Sequence, residues 1–156
     1  MVAATQQEQG TLQCVICDRY NSEYDKICGR CMAPAELTRS VRQRGTSPRF
    51  LGVLGESASG KTVYLGMLLD MLSKGHSGLR GFPNGSFSVT VQQQTITALQ
   101  DRLFPEKTAS EADQWRWVHC EITTEEKRNE YLDLVTPDFA GEAIAMEVEQ
   151  PGTYPT

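Results

Sequence analysis

The sequence predicts an α/β fold in two units, a small N-terminal ribbon stapled by a metal and a larger core, and three features predict it. Two Cys-x-x-Cys pairs lie near the N-terminus, Cys14-Val-Ile-Cys17 and Cys28-Gly-Arg-Cys31. A short apolar run, Arg49 to Leu54 (RFLGVL), leads into the glycine- and serine-rich loop Gly55 to Thr62 (GESASGKT) and then into a longer apolar run. Further on, two β-prone stretches, Trp115 to Thr123 and Tyr131 to Thr136, flank a polar turn and read as an antiparallel hairpin. In chain order these give a ribbon over residues 11–36, a linker over 37–48 and an α/β domain over 49–156.

The ribbon comes first. Cys-x2-Cys-x10-Cys-x2-Cys offers four thiolates to one tetrahedral ion, each pair turning back to present two sulfurs. Ligand type favours zinc, with an iron centre or a redox dithiol as alternatives. The gap between the pairs is short, so a tight hairpin from Asp18 to Ile27, containing Asn21-Ser22, is expected to close it. So short a segment buries little core, and the metal would supply its folding free energy. The unit reads first as a structural knob, and second as a docking surface for protein or nucleic acid.

The linker reading rests on Leu37 to Arg49 (LTRSVRQRGTSPR), which has little apolar content and ends in Gly-Thr-Ser-Pro. Its four arginines are expected to be solvated. Residues 1–49 carry seven Lys/Arg against five acids and the remainder eight against fifteen, so the main body carries −7 and the whole chain −5. That balance argues against a nucleic-acid-binding surface. The N-terminus MVAATQQEQG has neither the basic nor the apolar part of a signal peptide, and Val63 to Leu72 is too short to span a bilayer. The expected location is cytoplasmic.

The loop itself fits G-x-x-x-x-G-K-[ST], which wraps the phosphates of a nucleotide. Gly55 lets the chain leave a strand in a tight turn. Gly60 permits close backbone approach. The backbone of Glu56, Ser57, Ala58 and Ser59 would line the cradle, Lys61 would reach the β/γ oxygens, and Thr62 would ligate Mg²⁺ at the start of a buried helix, Thr62 to Ser73. A chance glycine-serine turn is the bland alternative, and the flanking strand and helix weigh against it.

Sensing the terminal phosphate needs an acid at the end of another strand. Tyr131 to Thr136 is followed at once by Pro137-Asp138-Phe139-Ala140-Gly141-Glu142, so Asp138 would approach Mg²⁺ and the Gly141 N–H the γ-phosphate. Asp133 is the rival acid, but alternation places it in mid-strand, away from the strand end where sheet ligands bind.

At CVIC/CGRC, GESASGKTVYLGMLL and PDFAGE the chain resembles the translation-factor-related (TRAFAC) class of P-loop GTPases, and more closely bacterial members in which a zinc ribbon precedes the core. The antiparallel strand beside the acid-bearing one supports that likeness, because kinase-type and ABC-type cores use parallel neighbours there. The resemblance implies a Mg²⁺-dependent nucleoside triphosphatase that binds and slowly hydrolyses GTP, as a switch or assembly factor with protein partners at the ribbon or switch loops. It also implies that Glu142 stands where related enzymes orient the attacking water. No N-K-x-D motif is present, so the residues leave GTP or ATP open, and a zinc-ribbon interaction module with a vestigial nucleotide site is the alternative from another class. With fourteen residues after Glu142, the domain reads as a partial P-loop domain, truncated and inactive by itself.

The long segment Gly75 to Gln114 is expected to hold a strand (Phe87 to Val91), a helix (Gln94 to Leu103) and, at Thr108, a switch threonine. Cys120 reads as a small buried apolar residue, Trp115 and Trp117 as packing on one strand face, and His76 and His119 have no partner at ligand or triad spacing.

Overall fold

The computed structural model describes residues 10–105, 116–127 and 130–152, with Glu142 described by its backbone alone. Thr108 and Trp115 lie outside the described residues.

Strand β1 (Thr11–Gln13) pairs antiparallel with β2 (Tyr20–Ser22), Thr11 opposite Ser22, and the first cysteine pair occupies the loop between them. The stretch from 18 to 27 is therefore not one tight hairpin: Asn21 and Ser22 lie in a strand that pairs with β1. The Asn21 side chain braces the second pair, donating to the Cys28 Sγ at 3.5 Å and accepting from the Gly29 N–H at 3.0 Å. A bridge between Ile27 and Pro34 closes that second turn.

The segment expected as a linker is mostly a helix, α1 (Ala35–Arg44). Leu37 and Val41 are four residues apart with Thr38 beside them, and all three are buried on one face. Glu36 in the first turn and Arg42 and Arg44 in the last complement the helix ends. Gly45, at φ 66°, terminates it with its N–H donating to the Arg42 carbonyl. Nor are the arginines merely solvated. Arg39 donates to the carbonyls of Glu23 and Asp25, and Arg42 to the backbone and side chain of Gln13.

The main sheet has the order β3-β6-β5-β4, formed by β3 (Arg49–Phe50), β4 (Leu79–Asn84), β5 (Arg116–Thr124) and β6 (Leu132–Asp138). β3 runs parallel to β6, and the other pairings are antiparallel, so the β5–β6 hairpin expected from the sequence is present. The strand expected over Arg49 to Leu54 is short: regular pairing covers Arg49–Phe50, and the Leu51 N–H adds one bond to the Val135 carbonyl. Phe87 to Val91 is not a strand. It belongs to α3 (Ser86–Gln100), where Ser88, Val91 and Thr95 are buried at spacings of three and four, a helical period. Gly85, at φ 82°, makes the turn from β4 into α3.

Helix α2 (Lys61–Lys74) follows the loop and buries Leu65, Leu69 and Leu72, while Tyr64, Met67 and Met71 on its outer side stay exposed. The helix is apolar all round but covered on one side. Beyond β6 the chain forms one more helix, α4 (Gly141–Glu149). Among the described residues no helix is long and apolar enough to cross a membrane.

Two apolar clusters lie on opposite faces of the sheet. Val118 and Cys120, with the partly buried Ile122 and Leu134, pack against α2 and α3. Trp117 and Val135 pack against α1 and the cysteine unit. The Trp117 indole also donates to the Cys31 carbonyl at 2.9 Å. Burial pushes the Cys120 thiol up to about 12, in keeping with an inert core residue.

Helix α3 crosses α2 antiparallel: Gln92 reaches Ser73, and three residues later Thr95 lies on Gly66, where a Cβ would collide with it. The Thr95 hydroxyl is buried without a hydrogen-bond partner among the described residues. Gly66→Ala should therefore cost about 1–3 kcal/mol through overpacking. Adding Thr95→Ala should recover part of that loss, read as a coupling of about 0.5 kcal/mol or more from the urea midpoints of the four proteins.

Candidate functional site

The cysteine unit brings together all four sulfurs named from the sequence. Cys14, Cys17, Cys28 and Cys31 place their Sγ atoms within 4.8 Å of one another, with Cys14–Cys31 at 3.7 Å and Cys17–Cys28 at 3.5 Å. Four sulfurs about 2.3 Å from one zinc in tetrahedral array lie about 3.8 Å apart, so the set fits such an ion. The Ile16 N–H and the Asn21 amide point at the Cys14 and Cys28 sulfurs, and such donors favour thiolates. The Cys31 thiol beside Cys14 holds the Cys14 thiol well below its usual range. The unit is able to bind a metal ion.

The glycine-serine loop is built from the end of β3. Beyond Leu51 the chain runs without regular structure to Gly55, where a Cβ would meet the Ser59 Oγ at 2.8 Å. Ala58 (φ 59°) and Gly60 (φ 86°) then take left-handed conformations, which curl the loop before α2 begins at Lys61. The Lys61 ammonium arches back to donate to the carbonyls of Gly55 (3.0 Å) and Glu56 (2.8 Å). One residue on, the Thr62 hydroxyl donates to the carboxylate of Asp138, 3.2 Å and 3.4 Å from its two oxygens.

Asp138 is the last residue of β6 and is buried. Three residues later Gly141 opens α4 directly against the loop, where any Cβ would strike the Ser57 N–H and the backbone of Glu56. Only glycine allows that approach. A cavity of about 330 Å³ lies between, lined by Ser57 to Val63 on one side and by Ala140 and Gly141 on another. Gly55 and Glu56 stand behind it and take part through the carbonyls that hold Lys61. Phe104, Pro105 and Phe139 complete the wall and were not anticipated. The Glu142 side chain lies outside the described residues.

On the opposite face of the sheet His119 has a partner after all. Its Nε2 is 2.7 Å from Asp133 Oδ1. Arg44, from α1, donates to both Asp133 oxygens and contacts Glu121 Oε1 at 2.6 Å, while Thr46 also donates to Asp133 and Asn84 to Glu121. His119, Glu121 and Asp133 place ligand atoms within 4.8 Å of one another, but the cation between the two carboxylates is the Arg44 guanidinium. A clue lay in the alternation of Trp117, His119 and Glu121, which sets polar groups on the face that receives an arginine-rich segment.

The family model for Double-GTPase 1 (DO-GTPase1) matches residues 52–152, from the approach to the loop through α4. No curated protein and no solved structure matches the chain. The match takes in the loop, Asp138 and Gly141, leaves the cysteine unit outside, and covers well over half of the sequence. The chain belongs to the Double-GTPase 1 family.

Burial pushes the Asp133 carboxyl upward, but hydrogen bonds from Arg44, Thr46 and His119 outweigh it and hold the group below the ordinary carboxylate value. A depressed folded value means that the stabilisation is complete above the unfolded value of about 3.9 and is lost as pH falls through the folded one. Asp133→Asn should cost about 2 kcal/mol at neutral pH, because it removes the charge-assisted hydrogen bonds to Asp133 and leaves the part-buried Arg44 with Glu121 as its carboxylate partner among the described residues. It should also flatten the acid limb of stability below about pH 4. Urea midpoints across pH for both proteins test this.

Proposed function

With that family membership as premise, we propose that the chain is a Mg²⁺-dependent nucleoside triphosphatase that uses GTP, with a structural zinc ribbon over residues 11–36 and the nucleotide domain from residue 49 onward. The observation that carries the reading is the meeting of Thr62 and Asp138. A hydroxyl at the start of α2 and an acid at the end of β6 share one hydrogen bond beside Lys61 and the cavity. That is the pairing a hard, oxygen-loving cation needs beside polyphosphate.

Each residue then has a chemical task. The amides of the loop from Gly55 to Gly60 and the Lys61 ammonium would neutralise the phosphates, Thr62 and Asp138 would hold Mg²⁺, and the Gly141 N–H would serve the γ-phosphate. Glu142, next in sequence, orients water for attack on the γ-phosphorus, breaking its bond to the β–γ bridging oxygen. A carboxylate there also repels phosphate, so turnover is slow without a partner. The protein acts in the cytoplasm as a switch or assembly factor, through contacts made by the ribbon and the loops around the nucleotide.

Two experiments test this. In equilibrium titrations with GTP and Mg²⁺, Lys61→Ala should weaken binding by about 2 kcal/mol, the size of a lost charge-assisted contact. Thr62→Ala should chiefly reduce the effect of Mg²⁺. Parental binding in both variants would make the loop a structural turn.

For the ribbon, elemental analysis should find one zinc per chain, lost in Cys31→Ser together with a large drop in thermal stability, and retained in Cys120→Ser. Equal zinc in Cys31→Ser and the parent would remove the ribbon from the proposal.

A further inference from the structure

Helix α3 lies antiparallel on α2, so its C-terminal end arrives where α2 begins. The chain leaving it, Leu103-Phe104-Pro105, is thereby delivered to the mouth of the cavity over the phosphate loop. Phe104 and Pro105 line that cavity together with Lys61, Thr62 and Val63. Yet Phe104 is 84% exposed, the most open large apolar side chain among the described residues. Keeping a phenyl ring in water at the lip of a pocket forgoes the roughly 1.5–3 kcal/mol that burial would supply. It is explained if a ligand covers the ring.

The cavity size says which part of a ligand does so. At about 330 Å³ it stands near the lower end of small-molecule sites, which run from about 300 to 1,000 Å³. The walls at Ser57 to Thr62 are phosphate chemistry, so phosphates fill the interior, and the flat, apolar remainder of the nucleotide must emerge at the lip. An aromatic face takes any base, because every base offers a π-surface.

We infer that Phe104 is the base platform of the site: it stacks on the purine of the bound triphosphate while the loop holds the phosphates. This rests on the reading of the loop proposed above. The stack takes the base by its π-face and by itself does not read guanine against adenine.

The test uses the full chain with Mg²⁺ and three probes: GTP, ATP and inorganic tripolyphosphate. Phe104→Ala should weaken GTP and ATP by a similar factor, roughly tenfold, as expected for losing one aromatic stack. Tripolyphosphate affinity should stay within twofold. Phe104→Trp should restore nucleotide binding, with its fluorescence quenched by GTP and not by tripolyphosphate. Unchanged GTP binding in Phe104→Ala, or an equal loss for tripolyphosphate, would overturn the platform while leaving the phosphate loop intact. Failure of the parent chain to bind tripolyphosphate or either nucleotide would overturn the loop reading itself, and the platform with it.

Discussion

Side chains on a strand point alternately to opposite faces, and the antiparallel register of β5 on β6 turns that rule into the plan of the molecule. With Trp117 opposite Pro137 and His119 opposite Val135, the odd-numbered positions of both strands face α1 and the cysteine unit. Val118, Cys120, Ile122 and Leu134 face α2 and α3. The same register brings β6 to its end at Asp138, level with the start of α2. A slip of one residue would turn Asp133 into the apolar helix layer and Val135 out of the core it completes, so the pairing is strongly specified.

The layer under α1 shows how a charge is kept inside. Asp133 is fully buried, a position that ordinarily drives a carboxyl to neutrality. Arg44, Thr46 and His119 all reach it, and Glu121 shares the arginine. Such a cluster is weak evidence of net stability, since apolar residues of equal volume can do as well. Its consequence is positional: α1 can satisfy both carboxylates only with position 44 over β5 and β6. The indole of Trp117 fixes the other side by bonding the Cys31 carbonyl. The metal-binding unit is thus seated on the strand pair that carries Asp138.

Where the sequence was legible, a local pattern carried the information. Cys14 to Cys31, the loop from Gly55 to Thr62, the alternation of β5 and the Asp138–Gly141 spacing each fit within some twenty residues, and the structure assembles each set as a unit. What escaped had a distant partner. Leu37 and Val41 mark a helix, but the reason it forms is a core built from residues near 117 and 135. Phe87 and Val91 favour a strand by propensity, and packing of a helical face against α2 overrides it. His119 seemed alone because Asp133 lies across a hairpin. Phe104 carries no motif; only the direction of α3 brings it to the loop.

The sequence distances of these contacts set an order of assembly during synthesis. The four cysteines span 17 positions, so the metal-binding set is complete while most of the chain is unmade. Thr62 waits 76 positions for Asp138, and Arg44 waits 89 for Asp133. Chains emerge N-terminus first, at about 5–20 residues per second, so several seconds separate the two events. During that interval the segments of α1 and α2 lack the strands that cover them, and their apolar residues are open to other nascent chains. A metal-binding unit that closes early removes its own share of that exposed surface before the sheet arrives.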